Sequence, residues 1–274
     1  MNSPASRAAT RTPSGAQTLT VLVVGATGSI GRLVVAEALA CGSRVRALVR
    51  STDKARSLPS DVQCVVGDLT QPETLVPAVD GVSAIVFTHG SDGGGKASAE
   101  QVCYGGVRNV LHALGGRQAR IALMTAIGVT NRASAYNRST ESADWKRRGE
   151  RLVRASGLPY TIVRPGWFDY NAADQHRLVF LQGDRRHAGD PSDGVVARRQ
   201  IAQVLVSSLT SEAALAKTFE LVAERGAAPD LEPLFATLKA DTPGELDGAL
   251  DSANMALSAE PQRVRDDLRP FISI

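Results

Sequence analysis

Aromatic residues are scarce in this sequence, making up 4% of its 274 residues against 43% for hydrophobic residues as a whole. A core must therefore be built from Ala, Val, Leu and Ile, a mixture typical of helices packed on a parallel sheet. No stretch approaches the ~18 uninterrupted apolar residues of a membrane span. The charged fraction of 22% is that of a globular chain, and the length indicates one large domain or one domain with an appendage.

Cysteines are few as well. Cys41, Cys64 and Cys103 are odd in number and far apart, so the sequence predicts neither a disulfide framework nor a CxxC metal knuckle. A reducing cytoplasm is the expected compartment. His176 and His187 have no partners at metal-ligand spacing, and the GxSxG elbow is missing. We therefore expect no metal site and no hydrolase of the GxSxG type.

Acidic residues are missing from the start of the chain and abundant at its end. The first acid is Glu37, and residues 1–17 are rich in Ser, Ala, Thr and Arg, which favours a disordered tail over a transit peptide. The net charge of +3 divides into −5 over residues 226–274, with nine acids and four bases, and +8 over the rest. A basic body attracts nucleic acid and phosphorylated ligands alike. We interpret 226–274 as an acidic helical extension with one or two short helices, of which 231–238 is the favoured one.

From residue 18 onward, short aliphatic runs alternate with longer amphipathic ones. This alternation predicts βαβ units and a doubly wound parallel sheet, a Rossmann α/β fold, over 18–225. After Pro165 the pattern is irregular, and we expect a small substrate-side region above the carboxyl edge of the sheet. The predicted strands are 20–24, 44–49, 62–66, 84–88, 120–125, 160–163, 178–181 and 218–222, and the main predicted helices are 32–40, 100–114, 142–156 and 198–209.

A glycine-rich loop directly after the first predicted strand is the strongest functional signal. Its three glycines permit a tight turn, a close approach of backbone N–H groups to a pyrophosphate, and close packing of the following helix. The pattern predicts a dinucleotide site, and the alternative is a merely structural turn. The loop residues expected at the dinucleotide are Gly25, Thr27, Gly28, Ser29, Ile30 and Gly31.

The end of the second predicted strand bears on the choice of dinucleotide. An NAD site normally has an acid here, about 20 residues after the loop, to bind the ribose 2′-hydroxyl. This sequence has Arg50 and Ser51, with Lys54 nearby, which favours a 2′-phosphate and therefore NADP(H). The alternative is that Arg50 is a solvated charge at a strand end.

Polar residues also follow the third and fourth predicted strands. Asp68 and Leu69 follow the third, where a carboxylate can accept a hydrogen bond from the adenine amino group. Thr88, His89 and Gly90 follow the fourth, where we expect the adenosine ribose. Ligands of open α/β sheets bind outside such carboxyl ends. The alternative for Asp68 is a turn or helix-cap residue.

Several separated motifs occur in an order that resembles a known family. They are GATGSIG at 25–31, VR at 49–50, KA at 54–55, GDL at 67–69, Lys146 on a helix, and SGLPYTIVRPG at 156–166. Over about residues 19–224 the chain resembles the atypical short-chain dehydrogenase/reductases, specifically the NmrA-like and flavin-reductase-like NAD(P)H-binding group. The resemblance implies a Rossmann fold and a nicotinamide cofactor. Members include reductases of quinones, flavins, carbonyls and double bonds, isomerases, and regulators that bind NADP without turnover.

The catalytic set typical of that family is altered here. It comprises a Ser after the fifth strand and a Tyr-x-x-x-Lys pair, in which Tyr is the general acid and Lys lowers its pKa and binds the nicotinamide ribose. Lys146 is present, but Ser142 stands at the Tyr position, and the hydroxyl closest to the Ser position is that of Thr125. The resemblance makes Lys146 and Thr125 the catalytic candidates. The alternative for Lys146 is a solvated, arginine-rich helix face on which it pairs with Glu150.

Four of the twelve aromatic residues lie between positions 160 and 170. Trp167, Phe168 and Tyr170 follow a predicted strand end, where we expect the walls of a pocket for a flat apolar substrate; core packing is the alternative. The polar segment 182–194 is interpreted as an exposed hairpin, or else as a lid or an oligomer contact.

The leading hypothesis is an NADPH-dependent reductase of a small aromatic, quinone-like or carbonyl substrate, acting as a monomer or homodimer without nucleic acid or membrane partners. A redox-sensing regulator that binds NADP(H) without turnover is the alternative, because the Tyr is missing. Nucleic-acid binding through the helix 146–154 is the least favoured, since interleaved aromatics and groove-reading motifs are missing.

Overall fold

The computed structural model describes residues 18–91 and 93–270, so the tail predicted over 1–17 lies outside the described residues. The strands are β1 (Thr20–Val24), β2 (Arg44–Val49), β3 (Gln63–Val66), β4 (Ala84–Phe87), β5 (Arg120–Met124), β6 (Tyr160–Pro165), β7 (Trp167–Phe168), β8 (Arg177–Leu181), β9 (Val195–Val196) and β10 (Lys217–Glu224). The helices are α1 (Gly31–Ala40), α2 (Thr52–Ala55), α3 (Val76–Val79), α4 (Gly95–Ser98), α5 (Gly105–Leu114), α6 (Ala135–Thr140), α7 (Ser142–Ala155), α8 (Arg198–Ser208), α9 (Leu231–Thr237) and α10 (Gln262–Leu268). A π-helix over Ala99–Tyr104 leads directly into α5.

Eight of these strands form one sheet, in the order β3-β2-β1-β4-β5-β6-β10-β8. Neighbouring strands are parallel except for β8, which runs antiparallel to β10. The first six strands have the 3-2-1-4-5-6 order of the doubly wound fold. The predicted Rossmann-type α/β fold is therefore confirmed.

The sheet is apolar on both faces because helices cover both. Successive residues of a strand point to opposite faces, and on β1 all four residues from Val21 to Val24 are fully buried. Val21 and Val23 pack in the same cluster as α1 and α8. Leu22 and Val24 pack in the second cluster, with α5 and α7. Most of the core is aliphatic, as the composition predicts.

The elements after residue 165 differ in part from the expectation. β10 pairs with β6, and β8 pairs with β10, so both extend the main sheet and do not form a separate region above it. The reason is that six consecutive residues of β10, from Thr218 to Ala223, are buried, as in a central strand. Among the described strands, only the short parallel pair of β7 and β9 lies outside the main sheet, in a second, two-stranded sheet.

The acidic extension is folded against the body of the molecule. It contains α9, close to the helix predicted over 231–238, and α10, a second short helix whose position was not predicted. Val264 and Leu268 of α10 are fully buried in the cluster that also holds residues of α5 and α7. Within the described ranges no helix is long and apolar enough to cross a bilayer.

Candidate functional site

A cavity of about 680 Å³ lies at the carboxyl ends of β1 to β5, a size within the range of small-molecule sites. Residues predicted from the sequence form more than half of its lining. They are Gly25, Thr27, Gly28, Ser29, Ile30, Arg50, Asp68, Leu69, Thr88, His89, Gly90, Thr125, Lys146 and Phe168. Gly31, Ser51, Trp167 and Tyr170 do not line it.

The glycine loop is a tight turn at the start of α1. Gly28 N donates to Gly25 O at 2.9 Å, and Gly25 has a φ of +87°, which favours glycine. A Cβ on Gly25 would lie 2.8 Å from His89 N, and one on Gly31 would lie 2.0 Å from Gly25 O. Gly31 therefore serves the packing of α1 on the loop, while Gly28 and Ser29 are exposed at the cavity.

The basic residues after β2 face the same cavity. Arg50 and Lys54 are exposed and line it, whereas the acid in this turn, Asp53, pairs with Arg56 at 3.6 Å. Ser51 does not reach the cavity lining, because its hydroxyl accepts from Lys54 N at 3.4 Å and caps α2. The end of the cavity beside β2 therefore has two cationic side chains.

Asp68 forms a turn at the edge of the cavity. Its Oδ1 accepts from both the backbone N and the hydroxyl of Thr70, each at 2.8 Å. These hydrogen bonds hold the pKa of the Asp68 carboxyl below its ordinary value. The turn role, one of the two alternatives, is thus present in the structure, and the ionised side chain also lines the cavity.

His89 is a neutral side chain with one unused acceptor. Burial lowers its pKa to about 4. Nε2 lies 3.0 Å from Val102 O, and because a carbonyl only accepts, Nε2 carries the hydrogen. Nδ1 is buried and has no partner among the described residues. A ligand hydroxyl donated to Nδ1 would satisfy this atom.

The two catalytic candidates both line the cavity where β5 ends, which is the inner end of the cavity. Glu150 is hydrogen-bonded to Thr125 and does not pair with Lys146. Thr125 donates its hydroxyl hydrogen to Glu150 Oε1 at 2.7 Å. The predicted polarisation of a carbonyl requires that same hydrogen, so the structure gives Thr125 a different hydrogen bond from the one its predicted role needs. Glu150 is fully buried and also pairs with Arg164 and Arg154, which leaves Lys146 facing the cavity without the predicted partner.

Four arginines of α7 are buried and do not form a solvated helix face, which was the alternative for this helix. Each is at most 7% exposed, because the acidic extension covers them. The pairs are Arg147 with Asp247 at 3.1 Å, Arg148 with Glu260 at 2.5 Å, Arg151 with Asp247 at 2.8 Å and Arg154 with Asp241 at 3.1 Å. The extension therefore neutralises this helix, and its guanidinium groups are not available to a nucleic-acid backbone.

Only one of the three predicted pocket aromatics reaches the cavity. Phe168 lines it, with the Arg198 guanidinium carbon 5.5 Å from the ring centroid. Trp167 and Tyr170 pack edge to face, with centroids 6.2 Å apart, and Tyr170 is 64% exposed. The reason is strand alternation, since Trp167 and Phe168 point to opposite sides of β7.

The segment 182–194 is an anchored loop and not a hairpin. The buried Asp184 carboxylate accepts from Gly128 N at 2.6 Å and Thr130 N at 2.7 Å, and so ties the segment to the loop after β5. Asp193 accepts from Ala188 N and Gly189 N within the segment, each at 2.7 Å. These buried acceptors give the segment a defined shape.

Several lining residues were missed from the sequence. Val102 and Cys103 come from the π-helix, which no periodic pattern reveals. Ser91 and Ser98 lie in and after a glycine-rich stretch that carried no motif. Apolar strand ends complete the lining with Leu48, Leu123, Met124 and Ala126, alongside Thr70, while Gly67 belongs to the predicted segment 67–69. The strand ends could have been found by applying the carboxyl-edge rule to every strand.

The sequence matches the NAD(P)H-binding family over residues 25–212, more than half of the chain. The chain therefore belongs to this NAD(P)H-binding family, which is of the atypical short-chain dehydrogenase/reductase type. The resemblance found in the motifs is confirmed. A nicotinamide dinucleotide is thus the cofactor class of the family.

Similar proteins differ in what their names say they do. Sanguinarine reductase of Eschscholzia californica is 26% identical over 74% of this chain and 88% of its own. The photosystem II assembly factor Ycf39 of Cyanophora paradoxa is 32% identical over 60% of this chain. The chain spans half or less of the length of several curated relatives, including Ycf39. The fold also matches an anaerobilin reductase from Escherichia coli O157:H7, with a TM-score of 0.60 and 22% identity over 77% of this chain and 100% of that one.

Proposed function

We propose that this protein is an NADP(H)-dependent reductase of a small, flat acceptor, with quinone-like compounds favoured over simple carbonyls. One observation carries the proposal: Arg50 and Lys54 line the same cavity as the glycine loop and Lys146. The cavity therefore has cationic side chains at both ends and backbone N–H groups between them. This charge pattern suits a dinucleotide with an added 2′-phosphate.

The residues present fit such a cofactor. The glycine loop leads into the start of α1, and Gly28 and Ser29 are exposed at the cavity, as expected of a pyrophosphate cradle. Arg50 and Lys54 would bind the 2′-phosphate, and the unpartnered Nδ1 of His89 would accept from a ribose hydroxyl. When bound, NADPH supplies the hydride for reduction.

The substrate class follows from what the inner end of the cavity offers. The hydrogen of Thr125 is donated to Glu150, and Lys146 is the cation at this end. A quinone-like acceptor suits this arrangement, because Lys146 would stabilise its developing oxyanion while water supplies the proton. Phe168 gives the flat ring an apolar wall. The reductases among the similar proteins support the reaction type.

The cofactor preference is tested by fluorescence titration with NADPH and NADH. We expect Arg50→Ala to weaken NADPH binding about 10- to 100-fold, the loss of a charge-assisted contact, and to leave NADH binding unchanged. Arg56→Ala is the matched control, because Arg56 pairs with Asp53 and does not line the cavity. Equal loss of both cofactors, or tighter binding of NADH by the wild type, would contradict the assignment.

Turnover is tested in the same samples by following NADPH oxidation at 340 nm with menadione, FMN and aromatic ketones. The proposal expects menadione to be the best of the three classes. If NADPH binds tightly but none of these acceptors oxidises it, the protein is not a reductase of this kind.

A regulator that binds NADP(H) without turnover is the second candidate. Its specific support is the Thr125 hydroxyl, which is held by Glu150, and the Ser at the Tyr position, which leave this end without the family's acid. Similarity to an assembly factor points the same way. A partner that is captured stoichiometrically with NADP and released by NADPH would favour the regulator.

A further inference from the structure

The Thr125 hydroxyl has a fixed polarity. Glu150 Oε1 lies 2.7 Å from Thr125 Oγ, and a carboxylate can only accept. The single hydroxyl hydrogen of Thr125 is therefore committed to Glu150. What Thr125 retains for any other partner is lone pairs, so it can accept a hydrogen bond but cannot donate one.

Glu150 is held as a carboxylate. Arg164 donates to both of its oxygens, at 3.0 and 2.7 Å, and Arg154 donates to Oε2 at 3.2 Å. Burial alone would raise the pKa of Glu150, but these arginines outweigh it and lower the pKa to about 2. Glu150 therefore stays ionised across the physiological pH range, and the polarity of Thr125 stays fixed with it.

The surroundings of Thr125 give this acceptor a counterpart. Lys146 lies one helical turn before Glu150 on α7 and lines the same cavity. Its ammonium group has three N–H donors and no acceptor, so it can donate to a carboxamide oxygen as well as to a developing oxyanion. Leu123, Met124 and Ala126 supply apolar wall on either side of Thr125. One acceptor and one donor within an apolar wall are complementary to a primary carboxamide, which has N–H donors and a C=O acceptor.

Resting on the proposed function, we infer that Thr125 is a specificity-determining residue that accepts an N–H hydrogen from the nicotinamide carboxamide, and that Glu150 is the positioning residue that sets this polarity. Thr125 would thus bind the cofactor amide at the position where the Ser hydroxyl typical of the family binds a substrate carbonyl. An N–H or O–H group of the substrate could also donate to Thr125. Measuring cofactor binding without substrate distinguishes the carboxamide from the substrate as the donor.

The test compares the dissociation constants of NADP and its 3-acetylpyridine analogue, in which a methyl group replaces the carboxamide NH₂. In the wild type we expect NADP to bind about 5-fold more tightly, the contribution of one neutral hydrogen bond. Thr125→Val keeps the shape and removes the acceptor, so the ratio should fall to about 1. Thr125→Ser keeps the acceptor and should retain the preference.

Glu150→Gln provides a second arm. Its amide can donate to Thr125 and release the hydroxyl hydrogen towards the cavity, so the preference for NADP should vanish or reverse. Should this buried variant fail to fold, the Val and Ser variants of Thr125 decide the matter. A wild-type ratio near 1, or a preference that survives in Thr125→Val, would overturn the inference and leave the proposed function standing. Failure of both dinucleotides to bind would overturn the inference and the proposed function together.

Discussion

Positive charge on α7 falls into two groups with opposite surroundings. Lys146 lines the cavity and pairs with no acid in the part of the chain that the structure describes. Arg147, Arg148, Arg151 and Arg154 are buried, and each pairs with an acid of the C-terminal extension. The two groups differ because the acids of the extension reach the arginines and do not reach Lys146, which lies at the cavity.

The difference shows which charges are available for chemistry. A buried pair that satisfies both of its partners has little left for a ligand, whereas an unpaired cation in a cavity can act on one. Composition alone treats the five side chains as one basic run. Only their surroundings assign four of them to the fold and one to the site.

The largest effect is expected from removing Arg164, the β6 arginine that pairs with Glu150 of α7. Arg164 donates to Glu150 and Asp251 and contacts Glu220, so Arg164→Met leaves buried carboxylates without their main cation. We expect the free energy of unfolding in urea to fall by about 3–5 kcal/mol. Arg117→Met, at a half-exposed pair with Asp80, is the control and should change it by less than about 1 kcal/mol. A loss as small as that of the control would show that the network contributes little.

A second experiment compares two carboxylates of the same arginine. Glu150 is ionised, but burial raises the pKa of Glu220 to about 8. The charge of Asp184 adds to this effect, and Arg164, at 3.3 Å, offsets only part of it. Between about pH 4.5 and 8 the folded protein then holds a proton at Glu220 that the unfolded chain has lost.

Stability from Glu220 is therefore complete at low pH and is lost as the pH rises through about 8, by up to about 1.4 kcal/mol per pH unit. Urea unfolding at pH 6, 7 and 8 measures this slope. Glu220→Gln carries a permanent neutral amide and should flatten it. An unchanged slope in the variant would mean that another group causes the loss of stability between pH 6 and 8.

The sequence predicted what depends on local pattern. β1, the loop from Gly25 to Gly31, and Arg50 lie within thirty residues of one another, and apolar runs and glycine spacing locate all of them. The placement of Lys146 came from family resemblance, because its spacing to Glu150 equally predicts a surface pair. The structure gives Glu150 to Arg164 and Thr125 instead.

The rest depends on contacts between distant parts of the chain. Arg147 and Asp247 are 100 residues apart, and Arg148 and Glu260 are 112 apart, so nothing local distinguishes a buried arginine of α7 from a solvated one. For the same reason the role of the acidic extension was not predicted.

The smallest effect on stability, and the clearest sign of function, is expected at the unpaired member of the comparison. Lys146→Met removes a cation that has no acid partner to leave behind, so the free energy of unfolding should change by less than about 0.5 kcal/mol. Its charge is available to the developing oxyanion, so kcat for menadione should fall about 100-fold. Urea unfolding and steady-state kinetics on the same preparation measure both.

Lys146→Arg is the matched control, because it keeps the charge and should retain part of kcat. Arg151→Met should behave in the opposite way, with a large loss of stability, since it leaves Asp247 with one of its two arginines. If Lys146→Met lost as much stability as Arg151→Met, with kcat unchanged, the division of α7 into a structural and a functional charge would be wrong. If both variants kept their stability and only Lys146→Met lost turnover, Lys146 would be the functional cation. The buried pair of Arg151 with Asp247 would then contribute little to the free energy of unfolding.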